Sequence, residues 1–354
     1  MPPFLQFVIR RLLYSLLSLI VITMVLYAGI MLTPPEARAR LYLSPGKGGD
    51  RASEQYIQSI IDSNHLDEPF LIQYMFWVKS LLSGSWGYSP TLHSEVLPSL
   101  LHRTPATLEL AICSLLLLIP LGLAGGLMSG WRPNGVFDGI FRALAFLGTS
   151  VPAFILAMVL LSIFYIKLGW FPPGRLDVTT ELDMTRSGFA EYTGALLLDS
   201  LLNRRLDIFL IGLRHLAMPV FTLGIYHWAT LGRITRSTVL NERGRDYITS
   251  ARARGVRETR LIWRHALRAV LAPALTTIVL SAASIATGVF VIEIIYNLAG
   301  ISQVIVIAMH SSPDAPAALG FAVYSVVMVL GLMMILDVIQ ALVDPRVRDE
   351  VLKA

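Results

Sequence analysis

The run Leu271-Ala272-Pro273-Ala274-Leu275-Thr276-Thr277-Ile278-Val279-Leu280-Ser281-Ala282-Ala283-Ser284-Ile285-Ala286-Thr287-Gly288-Val289-Phe290-Val291-Ile292 carries no formal charge. A helix rises about 1.5 Å per residue and the hydrocarbon core of a bilayer is about 30 Å thick, so roughly 20 such residues cross it. Extended to Ile295, with Glu293 near its end, the segment reads as a membrane span. Five further stretches read the same way: Leu12 to Leu32, Thr107 to Ser129, Ile140 to Ile166, Leu216 to Leu231 and Ala317 to Val343. The stretch from Leu216 is short and contains His227, but a crossing is required there because its neighbours must end on opposite faces.

The whole-chain arithmetic agrees. Of 354 residues, 55% are apolar and 15% charged, with mean hydropathy +0.63 and formal net charge +5. Soluble domains carry about a quarter charged residues, so a soluble enzyme and a disordered chain are excluded. The single cysteine, Cys113, excludes an internal disulfide scaffold. Arg10-Arg11 before the first span suggests a signal peptide or a twin-arginine address, but an h-region is about 7–15 residues and this run is longer, so a retained anchor is expected.

Orientation follows from the basic residues of the connections. With the N-terminus inside, the cytoplasmic pieces (1–11, 130–139, 233–269, 344–354) hold 16 Lys and Arg in 69 residues, against 12 in 144 for the external pieces. The expected architecture is an all-α polytopic membrane protein with six transmembrane helices and both termini cytoplasmic. Residues 1–32 form an anchor helix and 33–106 an external cap, in which Ser53 to Ile61 and Phe70 to Leu82 make two short helices about a turn at Asp62-Ser63-Asn64-His65. Residues 107–343 form the core, with an external insertion at 167–215 and a cytoplasmic loop at 233–269; residues 344–354 form a cytoplasmic tail. Within the insertion, Tyr192 to Leu202 reads as a helix lying in the membrane interface.

No catalytic apparatus is legible. The only lysine after a glycine is Lys47, and Leu41 stands where a phosphate-binding loop needs its first glycine. The seven histidines are scattered singly, without metal-ligand spacing.

The loop from Arg233 carries the information, with ten of the 25 arginines between Arg233 and Arg268. Asp246 is placed to cap a short helix with small residues at Ser250, Ala251 and Ala253, and Gly255 stands where a left-handed terminator is needed. A second helix follows with Leu261, Ile262, His265, Ala266 and Ala269 at helical spacing, and Pro273 opens the next span. Two short helices with small residues at their elbow make a knob for another protein's groove. A solvated basic loop explains the arginines but not this pattern. Arg257, Arg260, Arg264 and Arg268 recur like a voltage sensor's charges, but Glu258 and His265 and the even span count argue otherwise. Nucleic-acid binding lacks a soluble domain to support it.

Gly255, with its small residues and the proline eighteen positions on, resembles the coupling loop of ABC importer permeases, specifically the dipeptide/oligopeptide permease family. The resemblance runs through Asp67-Glu68-Pro69 to Gln73-Tyr74, Thr107 to Ala111, Gly148 to Phe154, His215 to Gly224, Asp246 to Pro273, Glu293, and Asp337 through Asp344-Pro345-Arg346. It departs at Thr249 and Ser250, at Pro34-Pro35-Glu36-Ala37, at Ala299 and Ser302, and at Arg257, which replaces a capping serine and so weakens the second helix start by about 1 kcal/mol.

The resemblance implies a non-catalytic permease subunit of the cytoplasmic (inner) membrane, forming half of a peptide pathway. Nickel chelates and oligosaccharides are the alternative cargoes within the family. The implied partners are a second paralogous permease, two ATPase subunits that carry the ATP and Mg, an external substrate-binding protein and membrane lipid, with no cofactor in this chain and no nucleic acid. The implied ATPase-coupling residues are Asp246, Tyr247, Ala251, Arg252, Ala253, Arg254, Gly255 and Glu258. Among them Ala251 and Gly255 are the close-approach points, and Arg252, Arg254 and Glu258 set the docking charges. Glu293 is an outer-gate or substrate contact, or else a structural helix-end acid. Gly122, Ala124, Gly125 and Gly126, with Ser281 to Ser284, are candidates for the interface with the second permease. An ion-coupled secondary transporter is the reading from another class; its intramembrane acids would be Asp337 and Glu109, the latter expected in a helix's first turns.

Overall fold

The computed structural model describes residues 3–40, 54–63, 65–310 and 314–343. Lys47, Asn64 and the tail 344–354 lie outside the described residues. Helices α1 (Pro3–Met31), α2 (Pro35–Arg40), α3 (Glu54–Ser63) and α4 (Phe70–Leu82) come first, followed by a hairpin of β1 (Tyr88–Ser89) and β2 (Ser94–Glu95). Then follow α5 (Val96–Trp131), α6 (Val136–Ser150), α7 (Ala153–Leu160), α8 (Val178–Ser187), α9 (Leu196–Leu202) and α10 (Leu206–Arg243). The chain continues with α11 (Asp246–Ala253), α12 (Glu258–Arg260), α13 (Leu267–Ile295), α14 (Ser302–His310) and α15 (Ala315–Val343). The chain is an all-α polytopic membrane protein. Among the described residues, five helical runs are long and apolar enough to span a bilayer: 4–31, 96–131, 206–243, 258–295 and 315–341.

The remaining expected span is a bent pair of helices. The uncharged stretch 140–166, expected as one straight span, is α6 and α7 bent by 104° about Val151-Pro152. The proline ring clashes with a helical conformation of the preceding residue, and Val151 sits at φ −105°, ψ 125°. α7 then widens into a π-helical turn over Leu161–Lys167.

Helices also outlast their apolar stretches. α10, expected over 216–231, has 38 residues, so it is about 57 Å long, well beyond a bilayer core. It passes Arg233 and Arg236 and stops only before Gly244, so the loop expected from residue 233 leaves the helix eleven residues later. Pro273 does not open the next span, as expected, but lies inside α13; the helical run begins at Glu258 and passes through a π-helical turn at Leu261–Ala266. A proline removes one backbone donor, and membrane helices tolerate that loss.

Two compact units divide the chain, one of residues 1–105 and 300–334, the other of 106–299 and 335–354. In the first unit, Gln73 and Tyr74 of α4 are buried and reach back to earlier residues. Arg38 donates to Gln73 Oε1 at 2.6 Å and to the Leu66 carbonyl at 2.7 Å. The Tyr74 hydroxyl lies 2.9 Å from Thr23 Oγ1, and Tyr27 stacks on Trp77 with centroids 4.9 Å apart. Asp314, 4% exposed, accepts hydrogen bonds from Ser89 Oγ at 2.6 Å, Thr91 Oγ1 at 2.7 Å and the Ala317 amide at 3.0 Å, tying the hairpin to the start of α15.

In the second unit, α10 packs along α6, α7, α9 and α13. Glycines four apart on α5 bring its backbone against α10. A Cβ on Gly122 would lie 3.0 Å from Leu231 Cδ2, one on Gly126 2.6 Å from Thr235 Cβ, and one on Gly130 2.7 Å from the Arg236 carbonyl. Gly125 faces the Phe141 ring at 2.8 Å. Gly122, Gly125 and Gly126, expected at an interface with a second permease, pack against residues of this chain. Small residues admit close backbone approach equally well inside a subunit.

Candidate functional site

The site is built where α10, α11 and α12 follow one another. Gly244 interrupts α10, and two residues on α11 starts. Its N-cap is Arg245, not Asp246, and no side chain caps it; Asp246 is the first helical residue and contributes its charge to the first turn instead. The Ile248 and Thr249 amides bond to the Arg245 carbonyl at 3.1 Å each.

α11 ends in a Schellman motif. The Gly255 amide donates to the Arg252 carbonyl at 3.0 Å and the Val256 amide to the Ala251 carbonyl at 3.2 Å. Gly255 has φ +78°, the left-handed conformation in which a side chain is strained, and a Cβ there would meet nothing within 4 Å of this chain. Its requirement within the chain is therefore conformational. Arg257 is the N-cap of α12 and makes no side-chain cap hydrogen bond.

The candidate residues divide by exposure. Ile248 and Ala251 are buried in the hydrophobic core with Leu261 and Ala266, so Ala251 seats α11 on its own chain. Tyr247, Arg252, Ala253, Arg254 and Gly255 are exposed. Tyr247, though its ring is exposed, donates its hydroxyl to Glu242 at 2.7 Å; partial desolvation of the hydroxyl and that carboxylate push its pKa up to about 12, so the phenol stays protonated. Arg252 donates to Glu258 Oε1 at 2.7 Å, which raises its already high pKa, and its guanidinium lies 5.8 Å from the Trp131 ring centroid. Trp131 Nε1 donates to Glu258 Oε2 at 2.8 Å. The charges of Arg252 and Glu258 thus largely satisfy each other, while Arg254 makes no ion pair among the described residues.

A second cluster sits beside this one. Asp138, fully buried, accepts from Arg236 Nε at 2.6 Å, Arg236 Nη2 at 2.9 Å and the Asn134 amide at 2.9 Å, and from Ser129 Oγ as well. Residues of α5, α6 and α10 therefore meet at one carboxylate. Sequence reasoning missed Asp138, Arg236 and Trp131. The available signal was an isolated acid and tryptophan flanking a short basic connection.

Glu293 is buried, 1% exposed, in the last turn of α13. Glu109 is not in a helix's first turns, because α5 begins at Val96. Its carboxylate accepts from the Leu197 amide at 2.6 Å and from the Leu196 amide and Arg175 at 3.2 Å each, so it holds the start of α9. α9 itself is packed on α10, where Gly212 leaves room for Leu196, and it begins at Leu196 rather than at Tyr192. His215, also buried, has Nδ1 3.1 Å from the Gly174 carbonyl and Nε2 3.3 Å from Asp177. Burial pushes the Asp177 carboxyl up, but hydrogen bonds from His215, its own backbone and Thr180 outweigh it and hold the pKa below the usual range.

Two family profiles match the chain. The one described as "Binding-protein-dependent transport system inner membrane component" matches residues 122–349, and its N-terminal companion matches residues 4–111. A di/tripeptide transport system permease protein of Pseudomonas aeruginosa is 30% identical over 98% of this chain and 99% of its own length. A dipeptide transport system permease protein of Alkalihalophilus pseudofirmus is 29% identical over 97% of this chain and 99% of its own. An oligopeptide transport system permease protein of Bacillus subtilis is 29% identical over 96% and 98%.

Proposed function

The chain belongs to the binding-protein-dependent transport system inner membrane component family, and from that membership we propose that it forms half of an inward pathway for di- and oligopeptides. The family is the non-catalytic membrane component of ABC importers, so the chain works beside a substrate-binding protein and other subunits. The peptide cargo rests on relatives named for di/tripeptide, dipeptide and oligopeptide transport that align over nearly the whole chain. In our reading the remaining partners are a second, paralogous permease and two ATPase subunits that bind ATP and Mg, and both termini are cytoplasmic.

The observation that carries the mechanism is the continuity from α10 through α11 into the α12–α13 run. Tyr247, Ala253, Arg254 and Gly255 form the face offered to an ATPase subunit. Asp246 supplies first-turn charge, Ala251 roots the helix in the core, and the Arg252–Glu258 pair stiffens the elbow. A stiff elbow transmits the ATPase stroke into two membrane-spanning helices, which alternating access requires. Asp138 and Arg236 extend that rigidity to α5 and α6. Glu293, buried beneath the far end of α13, supports the outer end of the pathway in a structural role.

Copurification tests the assembly. A tagged chain isolated from its own membrane is expected to bring down a non-identical permease of similar size and an ATPase pair. Isolation of an assembly active in transport with one copy of a single permease would overturn the half-pathway reading.

A further inference from the structure

α4 packs against the inside of a membrane span. The Tyr74 hydroxyl lies 2.9 Å from Thr23 Oγ1 and donates to the Ile20 carbonyl at 3.4 Å. Tyr27 stacks on Trp77 and meets the Tyr74 ring edge-on, with centroids 6.0 Å apart. Thr23 and Tyr27 belong to α1, whose uncharged run extends from Leu12, after Arg11, to Pro35, before Glu36. Whichever roughly 20 of those residues cross the bilayer, Thr23 stays within about 4 Å of the midplane and Tyr27 within about 8 Å, at about 1.5 Å per residue. The hydrocarbon core extends about 15 Å to either side of the midplane, so both contacts lie inside it. Arg38, beyond the end of α1, also holds Gln73, so α4 occupies the half of the bilayer in which α1 ends.

The helix is suited to that place. Its 13 residues make it about 20 Å long, too short to cross. Lys79 is its one charged side chain, and the lysine stem lets the ammonium reach the headgroups. Gln73 is turned inward, 2% exposed, with Oε1 held by Arg38 and Nε2 donating to the Leu66 and Glu68 carbonyls. A helix end in hydrocarbon must satisfy its carbonyls within the protein, and the last turn of α4 does so. The Ser83 amide donates to the Lys79 carbonyl and the Ser85 amide to the Ser80 carbonyl, each at 3.0 Å, while the Gly84 amide and Trp86 Nε1 donate to the Leu81 carbonyl at 3.1 Å each. What remains outward is apolar: Leu71, Ile72, Met75, Phe76 and Leu82 are all exposed. Depth and composition together select the occupant. Water does not reach that level, and this face carries neither the small residues nor the hydroxyl and amide groups by which membrane helices associate. We propose that α4 is embedded in one leaflet, the outer one when both termini are cytoplasmic, with this face against lipid acyl chains. α4 is then part of the membrane body rather than of an aqueous cap over residues 33–106, and it braces α1 from the lipid side.

The test uses the full chain in a Cys113→Ala background, reconstituted in phosphatidylethanolamine and phosphatidylglycerol vesicles with and without its copurified partners. Single nitroxide labels are placed at Leu71→Cys and Met75→Cys, and at Thr185→Cys on the charged, exposed helix α8 as the aqueous reference. Collision is measured with oxygen, which concentrates in hydrocarbon, and with chromium oxalate, which stays in water. The oxygen-to-chromium ratio at Leu71 and Met75 is expected to be several-fold above that at Thr185 and to match a lipid labelled in its acyl chain. Both α4 side chains are exposed, so the labels disturb no packing, and either position alone carries the comparison should the other variant fold poorly. A ratio equal to that at Thr185 overturns the proposal and returns α4 to an aqueous cap. Loss of collision with both reagents once the partners are present also overturns it, assigning the face to a protein contact.

Discussion

Arg236 of α10 grips the fully buried carboxylate of Asp138 with two nitrogens, at 2.6 and 2.9 Å, and Asp138 also takes the Ser129 hydroxyl at the end of α5. An ion pair in this setting is worth little net of its desolvation, yet removing one partner strands a buried charge. Asp138→Asn or Arg236→Gln alone is expected to destabilise the protein by about 3–5 kcal/mol. The double variant is expected to recover part of that. Thermal unfolding of the purified variants in detergent reads both; additive losses in the double variant would mean that the two side chains do not act as a unit.

The Gly255 elbow makes a different demand. Because no atom of this chain crowds the position, a β-branched substitution acts through backbone strain of about 1 kcal/mol or more, together with whatever the partner surface excludes. Gly255→Val is expected to insert normally and lose uptake and ATPase association, while Gly255→Asn, which tolerates the left-handed conformation, retains more of both. Equal uptake by the two variants would remove the elbow from the transmission path.

Acid stability is expected to depend on Asp314. Its burial raises the carboxyl pKa, but bonds from Ser89, Thr91 and backbone amides outweigh that and hold it below the usual value. A depressed folded-state pKa contributes stability above the unfolded value of about 3.9, and that contribution is lost as pH falls through the folded value. The melting temperature of wild type should therefore exceed that of Asp314→Asn near neutrality, and the gap should narrow as the pH is lowered below about 4. A gap independent of pH would show that the carboxylate charge contributes nothing.

Glu109 tests the competing transport class. As the partner of Arg175 and of the α9 amides it is a structural acid, so Glu109→Gln is expected to lower folded yield and uptake together and to expose residues 167–215 to protease. Normal yield with uptake that has lost its response to an imposed proton gradient would instead mark an ion-coupling acid.

Much of this arrangement is legible in the residues. Uncharged runs locate the membrane segments because lipid leaves no other solvent for them, and Gly255 announces its turn because few other residues adopt positive φ. Helix ends are not legible from hydropathy, since Arg233 and Arg236 end the apolar stretch of α10 but are good helix formers. Pro152 after Val151 signals a break, yet the surrounding apolar run hides it. Ala251 shows the limit of composition: a small residue reads equally as a docking contact or as core, and only its burial under α11 decides. Trp131 and Glu258 are 127 positions apart, so their hydrogen bond follows from tertiary packing alone.

The central claim, an importer half driven through the α11 elbow, is tested most directly by peptide uptake into proteoliposomes. These would hold this chain, its paralogous permease and the ATPase pair, with the binding protein outside. ATP supplied on the side of residues 244–257 is expected to drive accumulation of a dipeptide, and Gly255→Val to abolish it while leaving the chain in the membrane. Accumulation driven by an ion gradient without ATP, or unchanged in the variant, would contradict the account.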